Sequence, residues 1–105
     1  MAVQNLKIDK VVVTPVAAAT YSLLATDYIL AVNYTVTGTV AITIPTDQCV
    51  SGRIIEVKDS GGNAGTNNIT VTPQAETIDG DATSIISANY NSVSLYSDGS
   101  SWFVY

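Results

Sequence analysis

Apolar and polar residues alternate one by one through four stretches of this chain, and that period of two decides most of what the chain can fold into. In Val40-Ala41-Ile42-Thr43-Ile44 three branched residues share one face, and Pro45 ends the run. Arg53 to Lys58 turns Ile55 and Val57 one way and Glu56 and Lys58 the other. Asn68 to Thr72 and Ser92 to Ser97 repeat the pattern, closed by Pro73 and by Asp98-Gly99. Successive strand side chains point to opposite faces, so each stretch reads as a half-buried β-strand. Turn-forming clusters separate them: Asp59-Ser60-Gly61-Gly62-Asn63, Asp79-Gly80-Asp81 and Asp98-Gly99-Ser100-Ser101. Val, Ile, Thr, Tyr, Phe and Trp make up about two-fifths of the residues, the types that suit a pleated surface. The Ala17-Ala18-Ala19 run is too short for a helix and reads as a strand edge or connector. Strands and turns recurring every ~8–12 residues predict an all-β, antiparallel β-sandwich or barrel-like domain. At 105 residues this is a single domain.

Three segments break the alternation. Val11-Val12-Val13, Asp27 to Val32 and Ser101 to Tyr105 carry apolar groups on both faces. A strand that is apolar on both sides needs cover on both sides, and a two-layer domain this small covers one. The second cover is expected from further copies of the chain in a cyclic homo-oligomer, with loops and the N-terminal arm of the same chain as the alternative. Tyr28, Leu30, Val32, Phe103 and Tyr105 are the expected interface residues. Tyr90 and Tyr96 are the candidates for a ligand-facing surface, since tyrosine combines a broad apolar ring with a polar tip.

Catalytic chemistry finds few candidates. The chain has no histidine, which removes the commonest general base and metal ligand. No Ser-x-x-Lys pattern accompanies Lys7, Lys10 or Lys58. Cys49 has no partner for a disulfide and reads as a buried structural thiol. Glu76, Asp79 and Asp81 fall in one turn and read as a solvated, backbone-capping cluster; Asp79 and Asp81 flanking Gly80 would suit calcium but lack the further spaced ligands of a calcium loop. The stretch Ser60 to Gly65 is not a phosphate-binding Gly-rich motif and reads as a hairpin loop within Asp59 to Asn68. No enzyme activity, cofactor or metal is therefore expected. Nine Asp and Glu against four Lys and Arg give a net charge of −5, which argues against nucleic acid or an anionic membrane as partner. No apolar run approaches a transmembrane span, and charges interrupt the N-terminal residues where a signal peptide would have its apolar core, so synthesis in a cytoplasm is expected.

The order of blocks in the second half is more specific. Gly52-Arg53-Ile54-Ile55-Glu56-Val57-Lys58-Asp59 is followed by Asn68-Ile69-Thr70-Val71, Glu76-Thr77-Ile78-Asp79-Gly80, and Ser92-Val93-Ser94-Leu95-Tyr96-Ser97-Asp98-Gly99-Ser100-Ser101-Trp102. This series, with Val40 to Pro45 before it, resembles a β-rich module of bacteriophage tail-fibre and related virion appendage proteins. The likeness covers residues 28–105; residues 1–27 form an N-terminal arm with the first strands. The resemblance implies a structural virion protein, on a fibre, head fibre or capsid, that assembles commonly as a homotrimer. It implies contacts with its own copies and other virion proteins, location in the virion, and no catalytic residues. A receptor-binding tip that recognises host-surface glycan is the alternative.

Overall fold

The computed structural model describes residues 10–105. Nine strands form two packed sheets: β1 (Val13–Val16), β2 (Thr20–Ser22), β3 (Ile29–Val32), β4 (Val40–Ile44), β5 (Ile54–Asp59), β6 (Ile69–Pro73), β7 (Ser84–Ile86), β8 (Ser92–Ser97) and β9 (Trp102–Val104). The first sheet has five strands in the order β1-β3-β5-β8-β9, and the second has four in the order β2-β4-β6-β7. The only helical element among the described residues is a single 3-10 turn at Thr46–Gln48.

The all-β class and the two layers match the sequence expectation; the strand directions differ from it. From β1 to β6 the chain crosses from one sheet to the other at every strand. Each strand therefore serves as the crossover that returns its neighbour in the same direction. The pairs β1–β3, β3–β5, β2–β4 and β4–β6 are all parallel. Parallel neighbours need a crossover of a dozen or more residues, commonly a helix; here a strand of the opposite sheet performs that task, as in a solenoid coil. Only the last part of the chain is antiparallel, in β5–β8, β6–β7 and β8–β9. Side-chain alternation is the same in both kinds of ladder, so the alternation could not tell them apart.

The core lies between the sheets. Leu30 and Val32 of β3, Ile42 and Ile44 of β4, Val57 of β5 and Leu95 of β8 are all sealed in it. Trp102 closes it beneath the β8–β9 hairpin: its backbone N–H donates to the Thr77 carbonyl at 2.9 Å, and its own carbonyl accepts from Asp79 N–H at 3.0 Å. Residues 13–22, grouped with the arm in the sequence, supply the first strand of each sheet. Residues 1–9 of that arm lie outside the described residues.

Buried polar side chains fasten the connections at both ends of the coils. Asp27 accepts hydrogen bonds from Thr14 Oγ1 and Tyr21 Oη, each at 2.7 Å, and from Leu24 N–H at 2.8 Å. Burial and the neighbouring Asp27 push the Tyr21 hydroxyl up to about 12. At the other end Asp59 accepts from the backbone N–H groups of Asn63, Ala64 and Tyr90. Asn67 donates to the carbonyls of Tyr34 and Val36 and accepts from Gly38 N–H. The segment 59–68 is thus not the hairpin loop its composition suggested. It is a crossover from β5 to β6, with Ala64 and Asn67 buried and its backbone tied to two other connections.

The edges of both sheets are short. β2, β7 and β9 have three residues each. On β1 the hydrogen bonds from Ile29 N–H to Val12 and from Asn33 N–H to Val16 direct the even-numbered residues toward β3. Pro15, which lacks an N–H, therefore sits on the free side. Short edges and an edge proline discourage the addition of a further strand.

Candidate functional site: the outer face of the first sheet

The two outer faces differ in chemistry. Strand register places Thr20, Ala41, Thr70 and Ile85 in one row across the second sheet, with Ser22, Thr43 and Thr72 in the next. This face is largely hydroxylated, with Ala41 and Ile85 as its apolar members. The outer face of the first sheet is apolar along most of its length. Val13, Ile29, Glu56 and Ser94 form one row, and Ile54, Tyr96 and Phe103 another. Pro15, Ala31, Lys58 and Ser92 form the third. All three segments that carry apolar groups on both sides contribute here: the first through Val11 and Val13, the second through Tyr28 and Ile29, the last through Phe103 and Tyr105.

The aromatic residues form a cluster. Tyr96 stacks on Phe103 with ring centroids 5.4 Å apart and meets Tyr105 edge-on at 5.8 Å. Both geometries are favourable for aromatic pairs. Tyr28 lies under the Arg53 guanidinium, 5.5 Å from the ring centroid. Between these groups runs a groove of about 210 Å³ lined by Val11, Tyr28, Ile29, Ile54, Glu56 and Tyr105, among others. Glu56 lies within it and accepts a hydrogen bond from Ser94 Oγ at 2.8 Å.

Of the five interface residues read from the sequence, Tyr28 and Tyr105 are exposed, at 43 % and 64 %, and Phe103 is half-buried. Leu30 and Val32 are corrections: at 0 % and 1 % exposure they are core residues of the single chain. On β3 the alternation turns them inward, and it is Ile29 and Ala31 that face out. Val13, Ile29 and Ile54 were missed. The consecutive Ile54-Ile55 was the available signal, since one of two adjacent strand residues must face away from the core.

The two ligand-facing candidates are not brought together. Tyr96 belongs to the aromatic cluster. Tyr90 is six positions earlier, or about 20 Å along an extended chain. It is exposed, with φ at 64°, and donates its backbone N–H to Asp59. Its ring covers Gly62, where a Cβ would collide with it. Tyr90 is therefore a clasp between two connections.

The remaining candidates have structural tasks. Cys49 is buried with Sγ 3.2 Å from Ser97 Oγ, which also accepts from Gly99 N–H. Asp79 accepts from Val104 N–H. Among the described residues no group of three acidic or thiol side chains converges as metal ligands, and no helix is long and apolar enough to cross a membrane. No protein-family model matches the chain, and no curated protein is significantly similar to it.

Proposed function

We propose that the chain is a structural module of a bacteriophage virion that associates with copies of itself, as a homotrimer, and with other virion proteins on a fibre, head fibre or capsid. The single observation that carries this reading is the apolar outer face of the first sheet, which stays exposed among the described residues. Contiguous exposed apolar surface rimmed by polar groups marks interaction sites, and the protected strand edges leave the face as the means of contact. The block series from Val40 to Trp102 supports the assignment to virion appendages. The reading gives the chain no catalytic step; it is made in the host cytoplasm and ends in the particle. Native mass spectrometry at micromolar concentration tests it: a species of three times the 11.0 kDa chain mass is expected, and a clean monomer contradicts it.

The groove favours a second reading. Tyr28 and Tyr105 flank Glu56 and Ser94, and a sugar ring uses both stacking surfaces and polar partners. A glycan array separates the readings, because specific retention that Tyr105→Ala abolishes would point to a host-surface glycan as the occupant.

A further inference from the structure

Resting on the reading that copies of this chain meet through the outer face of the first sheet, we propose that Glu56 of one copy pairs with Lys58 of its neighbour across that interface. The two are the charged side chains among the outward positions of the sheet, two residues apart on β5 and on the same side. They are not spent on each other. Glu56 receives Ser94 Oγ on Oε2, which leaves Oε1 available. Lys58 Nζ donates to the Tyr90 carbonyl, which leaves two of its three donors.

Covering this face makes a demand. A carboxylate or ammonium buried without a partner is strongly unfavourable. Whatever seals Ile29, Ile54 and Tyr96 must therefore bring a cation to Glu56 and an anion to Lys58. A second copy brings both. The outward strand positions carry one charge of each sign, and Arg53 over Tyr28 at the rim adds a positive one, whereas the whole chain carries −5. This face is complementary to itself, while the rest of the surface repels its copies. Rotational symmetry then repeats each Glu56–Lys58 contact around the assembly.

The area is of the right order. With Val11, Val13, Tyr28, Ile54, Tyr96 and Tyr105 exposed by 40–64 %, the face offers roughly 600 Å² of side-chain surface. About 800 Å² per partner is typical of a specific interface, and the half-buried Phe103, the two charges and the serines between them supply part of the difference.

Charge exchange tests the pairing. Sedimentation velocity over a concentration series is expected to show association weakened about tenfold or more in Glu56→Lys and in Lys58→Glu. The double variant, Glu56→Lys with Lys58→Glu, is expected to return to within about threefold of the parent. Glu56→Gln, which keeps an acceptor for Ser94, should fall between. Circular dichroism and melting temperature of each variant distinguish lost pairing from lost folding. Singles that associate like the parent, or a double variant as weak as the singles, overturn the pairing while leaving self-association standing. A parent chain that stays monomeric throughout overturns both.

Discussion

Replacing Asp59 by alanine should lower the melting temperature by about 12 °C or more. Asp59 is 1 % exposed, and the backbone N–H groups of Asn63, Ala64 and Tyr90 converge on its carboxylate. Removing a buried acceptor leaves each donor with its desolvation cost, and the total loss is about 3–5 kcal/mol. That is a large share of the ~5–15 kcal/mol that holds a domain folded, and each kcal/mol is worth ~4–8 °C at this size. The same carboxylate makes stability pH-dependent. Burial by itself raises the pKa of Asp59, but the backbone hydrogen bonds from Ala64, Tyr90 and Asn63 outweigh it and the net shift is downward. Asp27 behaves alike: burial raises, while Thr14, Leu24, Tyr21 and the charge of Arg53 lower it further. A carboxyl whose folded pKa lies below its unfolded value contributes full stability above that unfolded value, about 3.9, and loses it as pH falls through the folded pKa. Thermal melts from pH 7 down to pH 2 should show stability falling below about pH 4. Asp59→Asn should reduce that slope by this residue's share. A flat profile would mean that neither carboxylate is held as described.

Ile54→Glu should weaken self-association at least a hundredfold and leave the fold of a single copy intact. The side chain is 46 % exposed, so the substitution is tolerated in the monomer within about 0.5 kcal/mol. In the assembly it removes about 2 kcal/mol of apolar burial and adds a carboxylate beside Tyr96 with no cation assigned to it. Ile85→Glu is the control. Ile85 is 56 % exposed on the outer face of the second sheet, and its substitution should leave the oligomer unchanged. Light scattering at matched concentrations reads both. Equal loss in the two variants would move the contact away from the face identified here.

The pattern of residues along the chain determined which side chains face inward, but not how the strands connect. Val40–Ile44, Ile54–Asp59, Ile69–Pro73 and Ser92–Ser97 fall where the alternation places them. The parallel coils were illegible because strand direction depends on where a connection leads, and the segments 33–39 and 60–68 carry ordinary turn chemistry. Their anchors, Asp59 and Asn67, look in sequence like any loop Asp and Asn; burial alone distinguishes them. The candidate interface was half legible. An excess of apolar residues in 27–32 and 101–105 points to a second apolar face, yet within a doubly apolar strand both sides look alike in sequence, and it is Ile29 rather than Leu30 or Val32 that faces outward. Tyr90 was read for its ring, whereas its backbone N–H and positive φ tie it to Asp59.

Hydroxyl-radical footprinting across a dilution series puts the central claim to its most direct test. As concentration rises and copies associate, labelling of Tyr28, Ile54, Tyr96, Phe103 and Tyr105 should fall together, while Tyr90 and Ile85 stay as reactive as in dilute protein. Labelling of the five residues that does not change with concentration, or protection that appears instead on Ile85 and its hydroxylated sheet, would contradict the proposal that this chain assembles through the first sheet's outer face.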